Sequence, residues 1–328
     1  MIVLLRLKEG FAKKSKLFYF TVGALSVIGL LFVAASLFFT NNTNAAVDEK
    51  PDGTFQQDYK IISPKIPDNI TIFGEKVPLE NFDVYERVDR EVLVNTYWHS
   101  ATILAIKRAA RWFPVIEPIL KQNNIPDDFK YLAVVESNLE NVVSPAGATG
   151  YWQFIKSAAN QYGLEVSDEV DERYDIEKST QAACDYLNEG YTKFRNWTMA
   201  AASYNAGVNG IEKWSGLQKA KNYWNLALGS ETSRYVSRII AMKLILENPP
   251  AYGFNLKEED LYKPLKYNEV NLDTSVTDFA DYAATLGINY KTLKLYNPWL
   301  RDTALKNKNG VAYKIKVPEE GSINIIRE

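Results

Sequence analysis

The chain is poor in the side chains that bind metals or form cross-links: of 328 residues, one is cysteine and one is histidine. A lone Cys184 excludes an intramolecular disulfide framework, and a lone His99 excludes the usual Cys/His zinc clusters. No metal and no cofactor are expected. No motif links Cys184 to His99 as a nucleophile and its base, so both are read as structural. A charge excess is missing too. With 38 basic and 40 acidic residues the net charge is −2, and no Arg/Lys stripe follows the N-terminal region, which argues against a nucleic-acid partner. Strand signals are nearly absent through Asn248. A hydrophobic share of 46% and a charged share of 24% are ordinary for a folded chain.

Long apolar runs are confined to one place. Arg6, Lys8, Lys13, Lys14 and Lys16 precede an uncharged run of 23 residues, Leu17 to Phe39. At about 1.5 Å per residue this run can cross a hydrocarbon core of about 30 Å. Its length favours a membrane anchor, while Thr43-Asn44-Ala45 offers a small-x-small cleavage site for a secretory signal. In either case the basic flank stays cytoplasmic and the remainder is exported. No cysteine stands just beyond the run, so a lipid-modified N-terminus is excluded. Residues 40–76, with Pro51, Pro64 and Pro67, read as a polar linker.

From Leu93 the pattern turns helical and remains so until Pro249-Pro250. One helix, expected to open with Pro126 in its first turn and to end near Asn141, places Phe129, Leu132 and Ala133 on an apolar face. The i+7 position of that face is Glu136. A carboxyl group there either snorkels to solvent or is desolvated, and desolvation would raise its pKa and let it donate a proton near neutral pH. Further helices are expected from about Tyr151, from Thr180 to Phe194, from Thr198 to Tyr204, and from Glu231 with Ser230 as N-cap. The set Asp168, Glu169, Asp171 and Glu172 reads as a solvated turn. Beyond Tyr267 the order is strand, helix, helix, strand, ending in the alternating Ala312–Val317.

The stretch "VVESNLENVVSPAGATGYWQF" carries Glu136-Ser137 and Gly150-Tyr151-Trp152-Gln153. It is followed by Ser203-Tyr204-Asn205 and by "ETSRYV", which contains Glu231, Thr232 and Tyr235. These four ordered motifs resemble the lytic murein transglycosylase family. The upstream "VPLENFDVYERVDREVLVNTYW" resembles its membrane-bound D subgroup. The tail, through "TLKLYNPWL" and "YKIKVPE", resembles a lysin motif that lacks the usual opening signature.

The resemblance implies a mostly α fold: a lysozyme-like catalytic region over 77–250, with its core about 115–248, and a small β-α-α-β module over 260–320. It implies cleavage of the β-1,4 bond between N-acetylmuramic acid and N-acetylglucosamine with formation of a 1,6-anhydro sugar. Glu136 would be the catalytic acid and base, and Ser137, Gly150, Gln153, Tyr204, Asn205 and Tyr235 would hold glycan. Peptidoglycan strands would be the partner, the cell envelope the location, and the cytoplasmic membrane the attachment of residues 17–39. Two rivals stand beside this reading: a muramidase that hydrolyses the same bond, and a peptidoglycan-binding protein without turnover. A hydrolase would need a second carboxylate, and Glu140, one turn past Glu136, is the nearest in sequence.

Overall fold

The computed structural model describes residues 61–323, so the apolar run 17–39 lies outside the described residues. From Ser63 onward the described residues belong to one compact unit. Among the described residues no helix is long and apolar enough to cross a membrane.

A short hairpin opens the unit, β1 (Thr71–Ile72) against β2 (Glu75–Lys76). These residues fall in the stretch read as linker, yet Ile70, Ile72 and Phe73 are buried in the main core. Glu75 accepts the Trp197 amide at 2.5 Å and the Asn196 side-chain amide at 3.0 Å, so its carboxylate faces the amide-rich start of a later helix. The linker therefore ends before the hairpin. Polar composition hid the few apolar residues that dock it.

Two helices follow, α1 (Phe82–Tyr97) and α2 (His99–Gln122), separated by the single non-helical residue Trp98. The sequence pattern reads them as continuous because both bury the same kind of apolar stripe. Next comes a 3₁₀ turn, Asp127–Phe129, and then α3 (Lys130–Ser137). Pro126 is extended, at ψ 135°, and precedes the turn rather than sitting inside a helix. Asp128 anchors the turn by accepting the Phe73 amide at 2.7 Å and pairing with Lys243 at 2.5 Å. Three further helices are α4 (Lys156–Gln161), α5 (Ile176–Phe194) and α6 (Trp197–Ala206). The Asp175 carboxylate caps α5 through the amides of Glu177 and Lys178.

The last two helices of this domain are α7 (Val208–Gln218) and α8 (Ser230–Glu247). Gly229, not Ser230, is the residue before α8. The core is built where α1 packs on α8, α5 on both α6 and α2, and α3 on α8. Small residues allow the close approach: Ala182, Ala183, Ala200, Ala201 and Ala202 are all buried. Helix α3 is thus covered on one side by α8 and on another by α2.

The C-terminal module has the order β3 (Tyr267–Leu272), α9 (Phe279–Thr285), α10 (Tyr290–Tyr296), β4 (Tyr313–Pro318). Its strands pair antiparallel, from Tyr267 opposite Pro318 to Leu272 opposite Tyr313. It has its own hydrophobic cluster, including Phe279, Leu293, Trp299 and Ile315.

Candidate active site

Helix α3 has only eight residues because Asn138 and Leu139 both take the left-handed conformation, at φ 55° and 56°. The helix therefore stops four residues before the expected end, and Glu136 lies in its final turn. Leu139 turns back into the core, which fixes the direction of that turn. Glu136 is at one wall of an open cleft of about 550 Å³, lined also by Gln153, Tyr186, Tyr204, Asn205, Glu231, Tyr235 and Arg238.

Desolvation pushes the Glu136 carboxyl up to about 7. Two neighbours act against it: the Tyr235 hydroxyl, which donates to Oε1, and the positive Arg238. The charge of Glu231 adds to the rise. The carbonyl-rich end of α3 likewise offers no help to a negative charge. Burial thus outweighs two stabilising partners, and the result is a carboxyl group able to give or take a proton near neutral pH.

Tyr235 is 1% exposed, so its hydroxyl is a fixed donor to Glu136. Burial drives its own ionisation far up, and the Glu136 charge adds to this. Tyr204 sits among the rings of Trp152, Phe154 and Tyr186, 4.9 Å from the last by ring centroids. Its hydroxyl donates to the Trp152 carbonyl at 2.8 Å, so it ties α6 to the turn that carries Gln153. Asn205 is held on both sides. Its amide donates to Glu231 at 3.2 Å, and its carbonyl accepts the Thr232 hydroxyl at 2.8 Å. Gln153, at φ 52°, donates to the carbonyls of Val142 and Gly150 at 3.0 and 2.8 Å. Its own side-chain oxygen remains an acceptor at the cleft.

Two residues expected to hold glycan are not among those lining the cleft. Ser137 is 7% exposed, and its hydroxyl lies 2.7 Å from the Tyr151 carbonyl, which joins α3 to the turn behind it. Gly150 is there for the backbone. Its φ is +84°, and a Cβ at this position would lie 1.9 Å from the Arg173 carbonyl oxygen. The helix expected from about Tyr151 is in fact this turn, and α4 begins only at Lys156.

Glu140 is engaged by Arg108 in an ion pair and does not line the cleft. The cleft's second carboxylate is Glu231, the first acidic residue of α8. It belongs to the "ETSRYV" motif, but the motif alone does not mark it as a site residue. Arg238 and Tyr186 also line the cleft outside the expected site residues. Arg238 lies three residues beyond Tyr235, hence on the same helical face, and that spacing could have found it. Tyr186 had no comparable signal.

The remaining candidates are accounted for by structure. Asp171 and Glu172 are buried, not solvated, and pair with Arg173 and Lys178. Cys184 is buried and its thiol is pushed up to about 12 by burial. His99 makes edge contacts with Tyr97 and Phe254. A second depression, of about 800 Å³, runs from Pro114 to Asp127, but its acids Glu117 and Asp127 are taken up by Lys130.

The domain is thus mostly helical, with one desolvated carboxyl group at the wall of an open cleft. Residues 113–227 match the family model of the transglycosylase SLT domain, and residues 268–321 match that of the soluble lytic transglycosylase C-terminal LysM-like domain. The chain is 29% identical over 247 residues to membrane-bound lytic murein transglycosylase D of Escherichia coli K12, covering 74% of this chain and 53% of the relative. It therefore spans about half the length of that relative. Among solved structures, the 70 kDa soluble lytic transglycosylase of Escherichia coli overlaps 46% of this chain and 26% of its own, at 20% identity and a TM-score of 0.36. Lytic transglycosylase Slt of Pseudomonas aeruginosa overlaps the same shares at 17% identity and a TM-score of 0.35.

Proposed function

We propose that this protein is a peptidoglycan lytic transglycosylase acting in the cell envelope. It cleaves the β-1,4 bond between N-acetylmuramic acid and N-acetylglucosamine and leaves a 1,6-anhydro-N-acetylmuramic acid end. The observation that carries this reading is the Glu136 carboxyl, raised to about 7 by desolvation at a cleft wall and bonded by Tyr235.

In this reaction protonated Glu136 gives its proton to the glycosidic oxygen, and the bond from that oxygen to C1 of the muramoyl residue breaks. The glutamate, now ionised, removes the proton from the C6 hydroxyl of the same residue. O6 then closes on C1, and no water is consumed. The proton that left Glu136 is replaced by the one it takes, so a single carboxyl group completes the cycle. Tyr235 and Arg238 stabilise the ionised form between the two transfers. Gln153, through its side-chain oxygen, and the clamped Asn205 present polar groups to sugar hydroxyl and N-acetyl groups. Ser137 and Gly150 act behind the cleft by holding its wall. Residues 17–39 attach the chain to the cytoplasmic membrane.

A hydrolytic reading has one observation in its favour, the presence of Glu231 in the same cleft. Mass analysis of muropeptides released from purified sacculi separates the two. Anhydro products, lighter by one water than reducing-end products, are expected. Reducing ends as the main product would make the protein a muramidase.

A further inference from the structure

The segment Glu165 to Asp175 touches both the cleft loop and the C-terminal module. On the module side, Val170 is 0% exposed, and it belongs to the module's cluster with Phe279, Leu300 and Ile315. Val170 forms an antiparallel bridge with Leu300. The Asp171 amide donates to the Trp299 carbonyl at 2.9 Å, and the Arg301 amide donates to the Glu169 carbonyl at 2.7 Å. The Glu169 carboxylate accepts the Lys306 amide at 2.7 Å and pairs with its ammonium at 3.2 Å. In effect, residues 169–171 are stitched to the module by one antiparallel bridge and the backbone bonds around it.

On the cleft side the same segment presents Arg173. Its guanidinium is gripped by Asp171, Nε to Oδ1 at 2.9 Å and Nη2 to Oδ2 at 2.7 Å. The remaining nitrogen, Nη1, donates to the Phe154 carbonyl at 3.1 Å and the Gly147 carbonyl at 3.3 Å. Those carbonyls belong to the loop whose Ser144, Ala146, Ala148 and Gln153 line the cleft. Gly150 of the loop rests directly on the Arg173 backbone. A planar guanidinium locked by a bidentate carboxylate has one orientation. The orientation of Asp171 is in turn set by a backbone that is bonded to the module.

We propose that the C-terminal module is a positioning part of the catalytic site: by fixing residues 169–171 it aims Arg173 at Gly147 and Phe154, and so holds the Gln153 loop beside Glu136. Arg173 acts through the loop and touches no substrate. The proposal rests on the reading of Glu136 as the catalytic acid and base. Its consequence for turnover follows from geometry, since a misplacement of about 1 Å at a reacting centre costs on the order of 10²-fold.

The test uses the full chain with Val170→Asp, which sets a charge in the module's cluster, and separately Arg173→Lys, which keeps the charge and loses the fork. Hydrogen exchange is followed in 144–154, in 267–318 and in α8 as the reference. Turnover is measured on soluble, uncrosslinked glycan strands. Both variants are expected to speed exchange in 144–154 by on the order of tenfold with α8 unchanged. Both should lower kcat by roughly 10- to 100-fold with KM within about twofold, the pattern of a lost transition-state arrangement. Val170→Asp should also loosen 267–318, and Arg173→Lys should not. Should Val170→Asp fail to fold, Val170→Ala replaces it, which leaves a gap in the module's cluster. A loosened module with loop exchange and kcat at wild-type values overturns the proposal, as does a rise in KM alone. If wild-type protein releases no anhydro product while loop exchange still follows the module, the coupling stands and the assigned chemistry falls.

Discussion

On the proposed mechanism, the Glu136 proton links turnover to stability. The folded pKa of Glu136, about 7, exceeds its ordinary 4.5, so the protonated acid prevails below pH 7 and is lost above it. The alkaline limb of kcat/KM should therefore fall with an apparent pKa near 7. Tyr235→Phe removes a donor that favours the ionised form, so that limb should move to higher pH. A limb that stays in place or moves down would contradict the assignment. For stability, the folded state keeps a proton that the unfolded chain has released between pH 4.5 and 7. The contribution is fully present below 4.5 and lost as pH rises through 7. Glu136→Gln carries no such charge, and at pH 8 it should unfold with a free energy higher than wild type by on the order of 3 kcal/mol, shrinking toward zero near pH 4. Urea titrations at the two pH values measure this. The same variant should lose about 10²–10⁴-fold in release of anhydro-muropeptides.

At the scale of elements, the turn Gly150–Gln153 and the last turn of α3 make the cleft wall together, joined by Ser137 and the Tyr151 carbonyl. Two glycines in this region separate conformational strain from steric strain. Gly147 has φ +80° and open space where a Cβ would go, whereas Gly150 has φ +84° and the Arg173 carbonyl at 1.9 Å. Gly147→Ala should cost only the left-handed penalty, about 1–2 kcal/mol. Gly150→Ala must also displace the backbone of Arg173, and its loss should exceed that of Gly147→Ala clearly in melting temperature and in turnover. Equal losses would mean that the close approach is unimportant. Periodicity made the face of Leu132, Ala133 and Glu136 readable. It could not give the end of α3, because two left-handed residues at Asn138 and Leu139 carry no pattern and neither is glycine.

For the whole molecule, the main core and the module core meet through side chains that belong to one and pack in the other. Val170 is the clearest case, and Glu165 and Glu177 add bonds to Tyr313 and Tyr267 at 2.9 and 2.8 Å. Lys316 pairs with Glu177 as well. With buried residues shared in this way, the module should not melt alone. Calorimetry of residues 63–328 as they occur in the full chain should give one cooperative transition. Two resolved transitions, with the module's amides exposed first, would show that these contacts are too weak to join the cores.

The sequence by itself determined the helical class, the strand-helix-helix-strand order of the tail and the group of residues around Glu136, because these depend on local periodicity and on side-chain chemistry at fixed spacing. Only the tertiary structure decided which of those residues face the cleft. It turned Ser137 and Gly150 toward the backbone behind the wall and brought in Glu231, Arg238 and Tyr186 from distant helices. It also buried Asp171 and Glu172 of the expected solvated turn, beside Val170 at the joint between two cores, and left Asp168 exposed. The physical reason is that burial depends on what packs against a residue from elsewhere in the chain. No window of sequence around Glu136 contains the helix α8 that supplies Tyr235 and Arg238 to the cleft, and no window around Val170 contains the strand partner at Leu300 that covers it.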